Sequence, residues 1–399
     1  MNLKNIDTSS IEKSIITVLY PFIYDEKKVL DKQNIDKLYK LTHENLKDFL
    51  PYTNNFFGNY HFKDTKEISL PCIIKDDHIL NIDFIKDNKI NTKLCIESNK
   101  IFFFEKSIAI LSIEYVIPND IKDIEFLYYH QKLSSIEKRG KQNLKLSNDK
   151  VFTYYFEFIN YIIEPYCKND DISYDEKKRL TINNLFDRSN LYTYNLLTVN
   201  QSNKHLNTFG FLEPLSQYRI KLDDVIIKNI NSNIIQQTSN INTIANENVV
   251  AHIGIKSNNA DNNFIEKEFF PKYNNNHFLT YVITLYQTSK LEQLILKAFL
   301  KEIDNEDLEN MRNIKSEILH FISNGNFTKI SNNSIRNNLY KFYRKSFEIK
   351  DLIYEIDTIS DKLTNKLETI HQDRQAFREK ILNLILALIG IGLSIVGLY

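Results

Sequence analysis

The residues of this chain best suited to ionic chemistry fall in two short runs. Glu302, Asp304, Glu306, Asp307 and Glu309 gather five carboxylates within eight positions, and carboxylate oxygens are the ligands that hard cations such as Mg²⁺ or Ca²⁺ take. The commoner origin of such a run is a solvated connection that sets acids at a helix start, where the macrodipole favours them. Glu302, Asp304, Glu306 and Asp307 therefore stand as a candidate cation site against that plainer reading. Lys132, Lys138, Arg139, Lys141 and Lys145 surround Gly140, and cations beside a flexible glycine suit the phosphates of a nucleotide-type messenger. A solvated loop is again the commoner outcome; the candidate phosphate contacts are Lys138, Arg139 and Lys141. Catalytic motifs are missing from the sequence: it has no phosphate-cradling glycine loop, no His-Glu-x-x-His and no Gly-x-Ser-x-Gly, and its nine histidines are scattered singly. No enzyme is expected. Cys72, Cys95 and Cys167 are odd in number and widely spaced, which argues against a disulfide framework or a zinc site and for reduced thiols in a cytosol.

A third set of residues bears on lipid rather than on ions. Ile381 to Tyr399 is a run of 19 residues without a charge, about 28 Å as a helix against a hydrocarbon core of about 30 Å. Arg374, Arg378 and Lys380 flank its N-terminal side, which by the positive-inside tendency keeps everything before it in the cytoplasm and places the segment as a single pass in the inner membrane. Within the run, Asn383, Ala387, Gly390, Ser394 and Gly397 recur at spacings of four, three, four and three, so the small and polar residues share one helix face. In lipid, helices associate through close backbone approach and interhelical hydrogen bonds, and this face supplies both. It predicts self-association, either as a tight pair or as a ring with Asn383 and Ser394 lining a pore. The competing readings are a C-terminal helix buried in the protein's own core, and glycines that merely tolerate lipid.

The rest of the chain must position these groups. Lys+Arg and Asp+Glu are balanced at 51 each, so no global field draws the protein to nucleic acid, and no direct nucleic-acid partner is expected. The apolar run Ile15 to Tyr20 is short and stopped by Pro21, which does not make a secretory signal. Seven prolines end at Pro271, predicting a mixed domain over 1–275 followed by helices. Short β-branched and aromatic runs at Ile68–Ile74, Ile79–Phe84, Lys93–Ile96, Ile101–Phe104 and Ile108–Ile117 predict a largely antiparallel sheet, with turns at Asp76-Asp77-His78 and Asp87-Asn88. Val151–Tyr166 reads as a buried helix, Leu191–Val199 and Asp223–Ile230 as helix or strand, Asn231–Asn248 as a surface loop or weak helix, and Val249–Ile255 as a strand. From Asn276 the period becomes helical. One stripe runs through Phe278, Val282, Leu285, Leu291, Leu294, Ile295 and Ala298, and a second through Leu308, Met311, Ile314, Ile318, Phe321 and Ile322. Gly325 stops the second helix, and Ser334 is expected to cap the last one. That last helix carries Leu352, Ile356, Ile359, Leu363, Leu367, Ile370, Phe377 and Ile381 at spacings of a coiled-coil or stalk. Unbroken from 335 to 399 it would be roughly 100 Å long. The fold class expected is α+β: a cytoplasmic mixed α/β domain, a helical and stalk region over 276–380, and one transmembrane helix over 381–399.

This order of elements resembles the CorA-type metal-ion transporter superfamily, and more closely the divergent CorA-like proteins of bacterial antiphage and CRISPR-associated loci. The residues that carry the likeness are Ile101-Phe102-Phe103-Phe104 followed by Ile108-Ala109-Ile110-Leu111-Ser112-Ile113, and the helix His277-Phe278-Leu279-Thr280-Tyr281-Val282-Ile283-Thr284-Leu285-Tyr286-Gln287. The resemblance implies a homo-oligomer, a pentamer in that family, whose stalk helix continues into the membrane and lines a pore. The family's Gly-Met-Asn signature is missing, since the methionines are Met1 and Met311, and so is a second membrane helix. That departure speaks against Mg²⁺ transport of the housekeeping kind and for a channel-like effector answering a nucleotide-type signal. A tail-anchored scaffold or tether without transport is the competing class.

Overall fold

The computed structural model describes residues 11–29, 38–40, 49–50, 72–75, 81–86, 89–104, 108–116, 141–146, 149–167, 191–199, 234–238, 240–246, 248–256, 262–303 and 308–396, with side chains at the C-terminal end described as far as 390. It is an α+β chain: a 12-stranded, mostly antiparallel sheet followed by helices. Two compact units emerge from the packing, one of residues 1–290 with 325–350, the other of residues 291–324 with 351–399.

In the first unit the sheet runs β10-β11-β12-β9-β1-β6-β5-β4-β7-β8, with β3 branching from β5 and β2 (Leu38–Lys40) pairing with β3. Its centre is β1 (Ile11–Ile23), between β6 (Ile108–Val116) and β9 (Tyr192–Val199), both antiparallel to it. The run Ile15 to Tyr20 that fails as a signal is therefore the middle of the sheet, and Pro21 sits inside the strand opposite Ile110. A strand covered on both faces needs apolar or hydrogen-bonded side chains throughout, which is why this one shows little alternation. Two antiparallel strands expected over 93–104 are one long strand, β5 (Lys89–Phe103), with a register shift between Ile96 and Ser98. β3 (Cys72–Lys75) and β4 (Asn81–Lys86) match two further expected strands, and Lys86 opposes Lys89 across the ladder. Positions 76–78, 87–88 and 223–230, for which turns and an element are expected, lie outside the described residues.

Two segments differ from expectation for a common reason. Val151–Tyr166 divides into β8 (Val151–Tyr154) and helix α1 (Tyr155–Ile163). Asn231–Asn248, expected as loop or weak helix, forms the hairpin β10 (Ile234–Thr238) and β11 (Ile241–Ala245), which continues antiparallel into β12 (Val249–Ile255). Tertiary pairing overrides weak local preference in both. Ile241 and Ile244 are buried by it, while the Gln and Thr residues around them bond to one another.

The sheet has two covered faces. On one, Ile16, Val18 and Tyr20 of β1 and Leu111, Ile113 and Tyr115 of β6 form a single core with Tyr155, Phe158 and Ile159 of α1. The other face is covered by the helical run that begins at Asn262 and leads into α2 (Phe278–Ile303), and by α4 (Ser334–Ser346). Phe104 stacks on Tyr286 at 4.4 Å and Phe102 meets Phe278 edge-on at 6.0 Å, contacts that add to area burial. The cap of α4 is Asn333 rather than Ser334: its side chain accepts from the Arg336 amide at 3.1 Å. Asn at this position satisfies an amide that the helix leaves orphaned.

In the second unit, Leu291, Leu294 and Ala298 of α2 are buried, as are Met311, Ile314, Ile318 and Phe321 of α3 (Leu308–Asn324). These are the stripes their spacing predicts. Lys297 and Glu317 pair between the two helices at 3.0 Å. The last helix is not continuous from 335. It breaks at Phe347 and Glu348, the latter with a positive φ of 51°, and resumes as α5 (Ile349–Val396), 48 residues long. Ile349, Ile356 and Leu363 are buried at a seven-residue interval, with Leu352, Ile359, Leu367 and Ile370 partly covered. From 371 to 390 every side chain is exposed. Among the described residues no helix is long and apolar enough to cross a membrane. The described part of the apolar tail, Ile381 to Val396, spans about 24 Å as a helix; the side chain of Ser394, and Gly397 as a whole, lie outside the described residues.

Candidate functional site

Among the described residues the sheet contains one parallel pair, β9 beside β12, and a cleft of about 460 Å³ opens at their carboxyl ends on the helix-covered face. Such ends are where α/β sheets leave room for ligands, because side chains and loops there are free of the ladder. Thr198, next to last in β9, lines the cleft, Lys256 follows β12, and Lys13 of β1 and Glu114 of β6 join them. Two irregularities aim further groups at this spot. The register shift in β5 makes Glu97 the extra residue, so that Ser98 faces Glu114; a second shift falls in β1 between Ile11 and Lys13. Bulges re-aim side chains in this way at functional edges of sheets.

The opposite wall is helical and irregular. Pro271 sits inside the run from 262 to 277, where it lacks a donor and crowds the carbonyl four residues back. Wide π-turns flank it at Ile265–Phe269 and Tyr273–His277, the usual way a helix absorbs such a misfit. They turn Asn274 toward the sheet. Its Nδ2 donates to Glu114 Oε1 at 2.9 Å, and Ser98 Oγ donates to Oε2 at 3.3 Å. Burial pushes the Glu114 carboxyl above its ordinary range, and Glu97 adds to the rise; Lys100 and the bonds from Asn274 and Ser98 act against it. Asn274 Oδ1 is buried without a partner among the described residues, as is Thr17 Oγ1, which Glu114 opposes in the ladder. Asn274 lines the cleft, and an unmet buried oxygen there is a place for a water or a ligand donor.

Cations and a ring complete the walls. Lys13 Nζ lies 4.5 Å from the centre of the Phe270 ring, within cation–π range, and Lys256 pairs with Glu266 at 3.0 Å. With Lys267 the lining holds three lysines against Glu97, Glu114 and Glu266. The arrangement can bind a small polar molecule through phosphate or carboxylate on the lysines and a flat ring on Phe270. No nucleophile–base pair stands in it.

Lys138, Arg139, Asp304, Glu306 and Asp307 are outside the described residues, and of Lys141 and Glu302 only the backbone is described, in β7 (Lys141–Leu146) and α2. Among the described residues no three His, Cys, Asp or Glu side chains gather as a metal site. Asn383, Ala387 and Gly390 are exposed on α5, and a Cβ at Gly390 would meet nothing within 4 Å. The cleft itself was not legible from spacing, because Lys13, Glu97, Glu114, Lys256 and Asn274 come together only through the ladder. The one local signal is Pro271 within a helical pattern. Protein-family models, curated proteins and solved structures were all compared with this chain, and none matches it.

Proposed function

We propose that the chain is a homo-oligomeric, CorA-like membrane effector of antiphage defence, channel-like in action and gated by a small molecule bound to its cytoplasmic sheet unit. The observation that carries this reading is α5. Its seven-residue seam is buried or partly covered as far as Ile370; further on, Leu382, Leu384, Ile385, Leu386, Leu388 and Ile389 are each about half exposed or more, over all of the helix surface except the face of Asn383, Ala387 and Gly390. A helix with so wide an uncovered apolar surface and no charge suits lipid, and the run continues uncharged to Tyr399. Arg374, Arg378 and Lys380 then mark the cytoplasmic boundary. The Asn383, Ala387, Gly390, Ser394 and Gly397 face provides the seam between copies, or the lining of a pore. The cleft over Glu114 is the gating site, its lysines suited to a nucleotide-type messenger.

Fractionation of the full chain, followed by alkaline extraction of the membranes, tests the anchor. Retention in the extracted membrane supports it, and recovery without detergent as a soluble monomer overturns it. Leakage of a self-quenching dye from vesicles holding the purified full chain tests the channel. Vesicles that stay tight with and without added nucleotides would instead make the protein a tail-anchored scaffold.

A further inference from the structure

The cleft has two unlike halves, and strand order sets them apart. Under it the sheet runs β12, β9, β1, β6, β5. Lys256 follows β12 and Lys13 lies on β1, whereas Glu114 stands on β6 and Glu97 in the bulge of β5. Lysines therefore line one half and carboxylates the other. From β12 to β6 is three strand spacings, about 14 Å.

Hydrogen-bond capacity divides the same way. A lysine ammonium donates and never accepts, and Lys256 is held at its end by Glu266 at 3.0 Å. At the acid end, Asn274 Nδ2 and Ser98 Oγ both donate to Glu114. What that end has left over is acceptor capacity: further lone pairs on two carboxylates, and Asn274 Oδ1, which is buried with no partner among the described residues. A stranded acceptor is costly, so the group that completes this end is a donor. Between the halves lies the Phe270 ring, with Lys13 Nζ 4.5 Å from its centre. A flat ring that displaces the ammonium can stack there, and Lys13 is then within reach of an anionic group on the same molecule.

Size and charge bound the ligand. A volume of about 460 Å³ sits in the lower part of the range for small-molecule clefts, about 300–1,000 Å³. Lys13, Lys256 and Lys267 are matched by Glu97, Glu114 and Glu266, which leaves no excess positive charge for a string of phosphates.

We propose that the cleft takes a single nucleoside monophosphate whose base carries an exocyclic amine, its phosphate on Lys13 and Lys256 and its amine donating to Asn274 Oδ1 and Glu114. This assignment rests on the nucleotide-type reading of the cleft and narrows it, because the amine is the group that the acid end reads.

Isothermal titration of the full chain in detergent tests it, with adenosine, cytidine and guanosine monophosphates set against purine riboside monophosphate, which lacks the amine. At least one of the first three should bind about tenfold or more tighter than the last, the factor expected when a buried acceptor loses its donor. Asn274→Leu should abolish that ratio by weakening the tighter ligand. Lys256→Ala should weaken all four about equally and keep the ratio, and it separates the two ends even if the Asn274 variant does not fold. Purine riboside monophosphate binding as tightly as the other three, or a ratio unchanged in a folded Asn274→Leu, would overturn the inference and leave a nucleotide site standing. So would a cyclic dinucleotide that binds where the monophosphates do not. No binding by any of these removes the nucleotide reading of the cleft as well.

Discussion

Tyr194 of β9 donates its hydroxyl to the carbonyl oxygen of Tyr273, 79 residues further along the chain, at 2.7 Å. The acceptor is the first residue of the second π-turn, where the widened helix changes its own hydrogen-bond pattern. A strand side chain thus fixes the irregular turn, with the Tyr281 hydroxyl on the Thr193 carbonyl at 3.4 Å about two helical turns beyond Tyr273. Tyr194→Phe keeps the ring packing on Phe278 and Tyr281 and deletes the bond. The expected cost is about 1–3 kcal/mol, the range for stranding a buried acceptor, read as a lower denaturant midpoint at unchanged slope.

Gly254 tests how closely the first π-turn lies on the sheet. A Cβ there would come within 3.3 Å of Ile265 Cδ1 and 3.4 Å of Phe269, both on buried side chains. Gly254→Ala should be accommodated by a small shift of Ile265 at a cost of about 1 kcal/mol, whereas Gly254→Val overpacks the contact and should cost about 1–3 kcal/mol. Equal thermal midpoints for wild type and the valine variant would show that the turn does not press on β12.

Glu114 gives a pH dependence of the opposite sense to that of a paired surface acid. Its folded value is raised above the unfolded one, chiefly by burial. The neutral acid therefore favours the fold below the unfolded value, and that stabilisation is lost as pH rises through the folded value. Glu114→Gln can keep an oxygen for Asn274 and carries no charge to desolvate. It should raise stability at neutral pH by roughly 1 kcal/mol, and the gain should vanish below about pH 4. A variant less stable than wild type at pH 7 would mean that ionised Glu114 is well compensated in the cleft.

Much of this architecture was legible locally, and the part that was not has a physical cause. The helical stripes at Leu291–Ala298 and Met311–Phe321 were readable because a helix satisfies its own backbone and needs only one apolar face. β6 and β12 were readable as β-branched runs. The central strand was hidden by Pro21 and by its lack of alternation, both consequences of being covered on two sides. β10 and β11 looked like loop because Asn, Gln and Thr dominate them, yet Gln237 and Thr243 are members of a buried network that composition cannot display. Helix 335–399 looked unbroken because Phe347-Glu348 holds neither Gly nor Pro, and the positive φ at Glu348 is one that its residue type does not announce. Glu114 and Asn274, 160 residues apart, had no sequence relationship to read.

α5 offers a final prediction, because one seven-residue pattern serves two environments along its length. Ile356 and Leu363 are buried within the chain, while Phe377, two and three heptads on, is 64 % exposed and falls on the same seam. Truncating a buried Ile or Leu leaves a cavity, and Ile356→Ala or Leu363→Ala should cost about 2–5 kcal/mol whatever the protein concentration. Phe377→Ala removes nothing that a single chain covers, so its effect on the fold should stay within about 0.5 kcal/mol. If copies associate along this helix, the same substitution should instead shift the native mass distribution in detergent toward smaller species. Phe377→Ala unchanged in both readouts would confine the seam to the part of α5 before Ile370 and leave the Asn383 to Gly390 face as the place where association must be sought.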